Sequence, residues 1–118
     1  MEESIMANRR RGEVALELGG ERYTLCLTLG ALAELEHAFA VEDLSALRER
    51  FASGRLSARD LVTMLSVALR GGGHALTDAE VAALPLDGGL EPLARGLADL
   101  LVATFGAAPA NPPSPQAL

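Results

Sequence analysis

The sequence predicts an α+β fold, mostly helical, with an N-terminal β-hairpin followed by four to five short helices. Three observations predict it. Two segments of apolar residues with a period of two flank Gly19-Gly20. From Leu32 onward the apolar residues recur at helical spacing instead. Leu and Ala, both good helix formers, supply most of the 49% apolar content, and aromatics make up only 3%. A length of 118 residues leaves room for one core. That core is expected over residues 13–106, with the hairpin at 13–29 and the helices at 30–105.

In the hairpin, Val14, Leu16 and Leu18 alternate with Ala15 and Glu17. Tyr23, Leu25, Leu27 and Leu29 alternate with Thr24, Cys26 and Thr28. Gly19-Gly20 suits a two-residue turn with positive φ. Such a turn pairs Leu18 with Glu21, Leu16 with Tyr23 and Val14 with Leu25, which gathers the large apolar side chains on one face. Thr28 is placed to cap the first helix, which carries Leu32, Leu35 and Phe39 on one stripe. The second runs from about Asp43 to Ala52 and stops at Gly54. Ser57 and Asp60 form a capping box for the third, which ends at Gly71-Gly72-Gly73. Thr77 and Glu80 form another, opening a short helix that stops before Pro85. The last helix spans about Leu90 to Phe105, with Leu90, Leu93, Leu97, Leu101 and Phe105 at helical spacing. Residues 1–12 are polar and aperiodic and are expected to be a flexible leader, with Met1 and Met6 both available as starts. Residues 107–118 hold four of the six prolines and no charge, and are expected to be a flexible tail.

Charge narrows the classes of function. Sixteen acidic residues stand against ten basic ones, all Arg, for a net charge of −6. A domain of that sign is poorly suited to nucleic acid. One cysteine excludes an internal disulfide and fits a reducing compartment. No run of about twenty apolar residues is present to span a membrane, and the N-terminus lacks the apolar core of a secretory signal. A cytoplasmic protein is expected.

Each candidate for chemistry has a plainer reading. His37 follows Glu34 and Glu36 on a helix and reads as solvated surface; His74 follows three glycines and reads as a surface loop. Neither stands at ligand spacing for a metal. Arg70-Gly-Gly-Gly73 lacks the Lys, the hydroxyl residue and the preceding strand of a phosphate loop, and reads as a helix stop. Cys26 sits on the strand face opposite the leucines without a base in reach. Glu34, Glu36, Glu42 and Asp43 read as helix surface, and Arg9-Arg10-Arg11 is a weak basic cluster on an acidic chain. No catalytic residues, cofactor or metal site are expected, and no enzyme.

The last helix carries more information. Glu91, Arg95 and Asp99 form a polar ladder four residues apart. Near its end Leu100, Leu101, Val102 and Phe105 leave little polar surface, and an all-apolar helix end must be covered. The stripe Leu97, Leu101 and Phe105 is expected to join the core. Val102, about 100° further round the helix, and its neighbour Leu100 are expected to bind a partner.

The order of the pieces resembles a family. Gly12-Glu-Val-Ala-Leu-Glu-Leu-Gly19 is followed by Tyr23-Thr-Leu-Cys-Leu-Thr-Leu-Gly-Ala-Leu-Ala-Glu-Leu-Glu36. Then come Gly54-Arg-Leu-Ser-Ala-Arg-Asp-Leu61, Leu69-Arg-Gly-Gly-Gly-His74, Thr77-Asp-Ala-Glu-Val81 and Leu100-Leu-Val-Ala-Thr-Phe-Gly106. Over about residues 8–106 this is similar to the small tail protein of gene transfer agents, phage-like particles that carry host DNA. That family has carried two labels, tail tube protein and tail assembly chaperone. The resemblance implies a non-enzymatic role in tail assembly. Because tube subunits are expected to be rich in strands, the helical content favours the chaperone, whose partner would be the tape-measure protein, with tail tube subunits as further partners. A structural tube subunit is the alternative, and a small helix-turn-helix regulator at 57–84 is a weaker one. Self-association is left open.

Overall fold

A computed structural model describes residues 8–106. The expected leader and tail therefore lie largely outside the described residues, at 1–7 and 107–118. Strand β1 (Glu13–Leu18) turns at Gly19-Gly20 into β2 (Glu21–Cys26). Five helices follow: α1 (Leu29–Ala38), α2 (Leu44–Ala52), α3 (Ala58–Gly71), α4 (Asp78–Ala82) and α5 (Leu90–Phe105). The chain is thus the expected mostly helical α+β domain. Just before β1, Arg9–Arg11 form a single 3-10 turn.

The hairpin register is the one the apolar pattern requires: Leu18 faces Glu21, Leu16 faces Tyr23 and Val14 faces Leu25. Gly19 and Gly20 both take positive φ, +62° and +82°, as a primed turn demands. The Gly20 N–H donates to Asp87 Oδ2 at 2.8 Å, tying the hairpin tip to the loop before α5. The second strand ends three residues earlier than expected. Thr28 accepts from the Ala31 N–H as the cap of α1, so it leaves the ladder. Leu27 is buried in the connection, and Leu29 stands 82% exposed as the first residue of the helix.

Local chemistry sets the other helix starts. Asp43 caps α2 by accepting from the Ala46 N–H. Ser57 with Asp60 and Thr77 with Glu80 form full capping boxes, each satisfying two otherwise orphaned N–H groups.

The hairpin's apolar face is covered by two helices. α5 lies over β1, and Gly96 lets it approach so closely that an added Cβ would come within 2.9 Å of Leu16 Cδ1. α3 lies over β2 and is the central helix, with Met64 to Leu69 all buried. Its last turn meets β2 at still shorter range. A Cβ on Gly71 would overlap the Cys26 carbonyl oxygen, and one on Gly72 the Thr24 carbonyl oxygen. Helix α1 packs on α3, and α2 on α1 through an edge-to-face pair, Phe39 with Phe51, 5.3 Å between centroids.

Two stability tests follow. Gly72→Ala is expected to lose at least ~2 kcal/mol, since the backbone it would strike cannot rotate aside. Gly30→Ala, in α1, where an added Cβ would meet only Thr28 Oγ1 at an ordinary contact distance of 3.9 Å, is expected to be neutral or to gain up to ~1 kcal/mol; urea midpoints compare them. Asp60 is held below its ordinary carboxylate pKa by the Ser57 backbone N–H and by hydrogen bonds from Arg50 and the Ser57 hydroxyl. A lowered folded pKa contributes stability that is full above the ordinary value and lost as pH falls through the lowered one. Asp60→Asn is therefore expected to cost about 0.5–1 kcal/mol at neutral pH, modest because the site is solvated. The difference should shrink as urea titrations are carried to pH 3.

Candidate partner-binding surface

The residues singled out for chemistry are scattered. His37 is exposed on α1, lining a cleft with Thr63, Ser66 and Arg70 of α3. Glu34 pairs with Arg70 at 3.2 Å, and Arg70 lies 3.8 Å from Asp78. Asp43 is occupied as a helix cap. Cys26 has its thiol pKa raised by burial and by the nearby Glu13 charge, and its Sγ lies 3.7 Å from the Arg11 carbonyl oxygen. That environment favours the thiol over the nucleophilic thiolate. Arg11 of the basic cluster lies 3.8 Å from Glu13. Among the described residues no group of three His, Cys, Asp or Glu is arranged to hold a metal.

His74 differs from the surface loop expected of it. Its Nε2 accepts a hydrogen bond from the Thr24 N–H at 3.0 Å, and its ring meets Tyr23 edge-on at 5.1 Å. The histidine completes the outer edge of β2, a role invisible in sequence because donor and acceptor are fifty residues apart. The preceding glycines stop α3, as expected, and also permit the close approach that brings His74 to the strand.

The pair at 57–84, read as a possible helix-turn-helix, is α3 and α4. The first is sunk in the core and the second has only five residues, so this geometry does not present a reading helix.

The end of α5 requires a correction. Its inward face is Leu93, Gly96, Leu97 and Leu100, the last with no exposure at all. Leu100 is core and cannot meet a partner. Leu90, at helical spacing with the core leucines of this helix, is 55% exposed. The reason is the contact with β1: Gly96 sits over Leu16 and centres the buried face one residue away from the sequence stripe. Leu101 and Phe105 are half-buried on its flank. Val102 is 45% exposed, as expected of an outward residue. With Arg48, Ala52, Leu101 and Phe105 it lines a shallow groove of about 130 Å³ between α2 and α5. A second apolar hollow, about 200 Å³, is lined among others by Leu18, Leu61, Leu65 and Val81, with exposed Leu86 and Leu90 at its lip.

The described residues thus form a small α+β domain whose outward features are apolar side chains, not a cluster of reactive groups. The chain belongs to the family described as phage tail tube protein, GTA-gp10, whose family model matches residues 11–107. The resemblance to gene transfer agent tail proteins is therefore correct. The family's description agrees with the tube-subunit alternative better than with the chaperone. No curated protein matches the chain, and no solved structure does. No described helix is long and apolar enough to cross a membrane.

Aspartate substitutions separate surface from core on α5. Val102→Asp is expected to shift stability by no more than about 1 kcal/mol. Leu100→Asp buries a charge in a packed site and is expected to abolish folding. Thermal melts of the two variants check the assignment.

Proposed function

We propose that this chain works in the cytoplasm in building the tail tube of a phage-like gene transfer agent, by binding other tail proteins and without catalysing a reaction. The observation that carries this reading is the family match over nearly all of the described residues. The family's description supports a place in the tube itself. The exposed Leu86, Leu90 and Val102 supply apolar surface of the kind protein contacts use.

One observation favours a second reading, that of an assembly chaperone holding the tape-measure protein. Among the described residues the sheet has two strands of six residues each, and helices make up most of the rest. If tube walls are built as stacked β-barrels, a subunit with so little sheet is a poor brick. A helical domain with apolar surface suits a helical client better.

Quantitative mass spectrometry of purified particles, paired with affinity capture from producing cells, separates the two. A tube subunit is expected among the most abundant proteins of the particle. A chaperone is expected to be missing from particles and to co-purify with the tape-measure protein before assembly. Absence from both would overturn the tail reading altogether.

A further inference from the structure

The two edges of the hairpin differ. In an antiparallel pair, residues alternate between bonding the partner strand and turning their peptide groups away from it. The Thr24 N–H points outward, to His74, which sets the phase. By the register, Thr24 faces Ala15, Cys26 faces Glu13 and Arg22 faces Glu17. The outward peptide groups of β1 are therefore those of Glu13, Ala15 and Glu17. The outer edge of β2 is closed by the last turn of α3 and by His74. On β1, the Glu13 N–H is taken by the Asn8 carbonyl at 3.0 Å. For the N–H and C=O groups of Ala15 and Glu17 the described residues provide no other partner. β1 thus keeps four outward backbone groups ready for a further strand, with no proline or bulge to refuse one.

We propose that the open edge of β1 is a docking site for an extended segment of a partner protein, added as a third strand, with basic residues at alternate positions. The alternation follows from the face. Glu13, Ala15 and Glu17 share the side of the sheet opposite the core, and an added strand sets every second side chain beside them. Arg11 already lies near Glu13, whereas Glu17 is exposed and has no ion pair among the described residues. The net charge of −6 acts in the same direction at longer range. A second copy of β1 fits poorly. Pairing the two strands antiparallel about Ala15 sets Glu13 opposite Glu17 twice, and like charges directly opposite are destabilising; pairing about Leu16 sets Glu17 opposite Ala15 and avoids that clash, but still brings together two chains of net charge −6. The occupant is therefore a basic strand of another protein, held by main-chain hydrogen bonds and selected by charge. This inference rests on the reading that the chain binds tail proteins.

The test uses the full chain with a probe strand of alternating Arg and Thr joined to its N-terminus by a flexible Gly/Ser linker. A matched chain carries Glu in place of each Arg. Tethering raises the effective concentration to about millimolar, so even a weak edge contact registers. Amide hydrogen exchange is read residue by residue. In the untethered chain Ala15 and Glu17 are expected to exchange like exposed amides, while Thr24 is protected. The Arg probe is expected to slow Ala15 and Glu17 at least about tenfold, and the Glu probe to leave them unchanged. Ala15→Pro with the Arg probe is expected to remove the protection at Glu17. Protected amides at Val14 and Leu16 check that this variant folds; if they are lost, the comparison of the Arg and Glu probes decides alone. Protection of Ala15 and Glu17 without a probe would show the edge closed and overturn the proposal. So would equal protection by both probes, or protection by neither. Particle composition plays no part in this measurement, so its failure is distinct from failure of the tail reading.

Discussion

The last turn of α3 lies against the carbonyl oxygens of Thr24 and Cys26 with no space for a side chain at Gly71 or Gly72. Much of the structure depends on that contact. It seats the central helix along β2, and it ends the helix where His74 can reach the Thr24 N–H. A two-stranded hairpin is marginal by itself in water. Here it is held by a helix across one edge, a second helix over its apolar face, and the Gly20–Asp87 hydrogen bond at its tip. The core then gathers around α3, whose Met64 and Leu69 are almost wholly buried.

Closing one edge of the sheet leaves the other as the exception. α5 covers the apolar face of β1 through Gly96, but the described residues leave the peptide groups of Ala15 and Glu17 facing outward. The same placement of α5 decides which of its leucines are available. Leu93, Leu97 and Leu100 are consumed by the core, and Leu90 and Val102 are released to the surface. Both the open edge and the exposed apolar residues of α5 are thus by-products of how two glycine contacts seat two helices.

Membership of the tail tube family and the helical architecture place different emphases on the same chain. The family's description points to the tube. The short sheet among the described residues is the observation behind the proposed alternative. Both readings need protein contacts and neither needs a reaction. Among the described residues, burial raises the pKa of the Cys26 thiol, Asp43 and Asp60 cap helices, and Glu34 pairs with Arg70.

The sequence by itself determined everything governed by neighbours along the chain. The alternation of Val14, Leu16 and Leu18 about Gly19-Gly20 dictated the register, because only one pairing puts all the large side chains on one face. Thr28, Ser57 and Thr77 dictated three of the helix starts, because a cap bonds an N–H two or three residues away; Asp43, read as helix surface, caps α2 in the same way. The end of β2 was less legible, since Thr28 suited both strand and cap and only one role can be filled. The buried face of α5 was legible only to within a residue, since a helix rich in leucine offers several apolar stripes and the partner chooses among them. Leu100 was misplaced for that reason. The roles of Gly71, Gly72 and His74 were not legible at all. A glycine that stops a helix and a glycine that admits a strand are the same residue in sequence. Only the packing of α3 against a strand some fifty residues earlier in the chain decides between them.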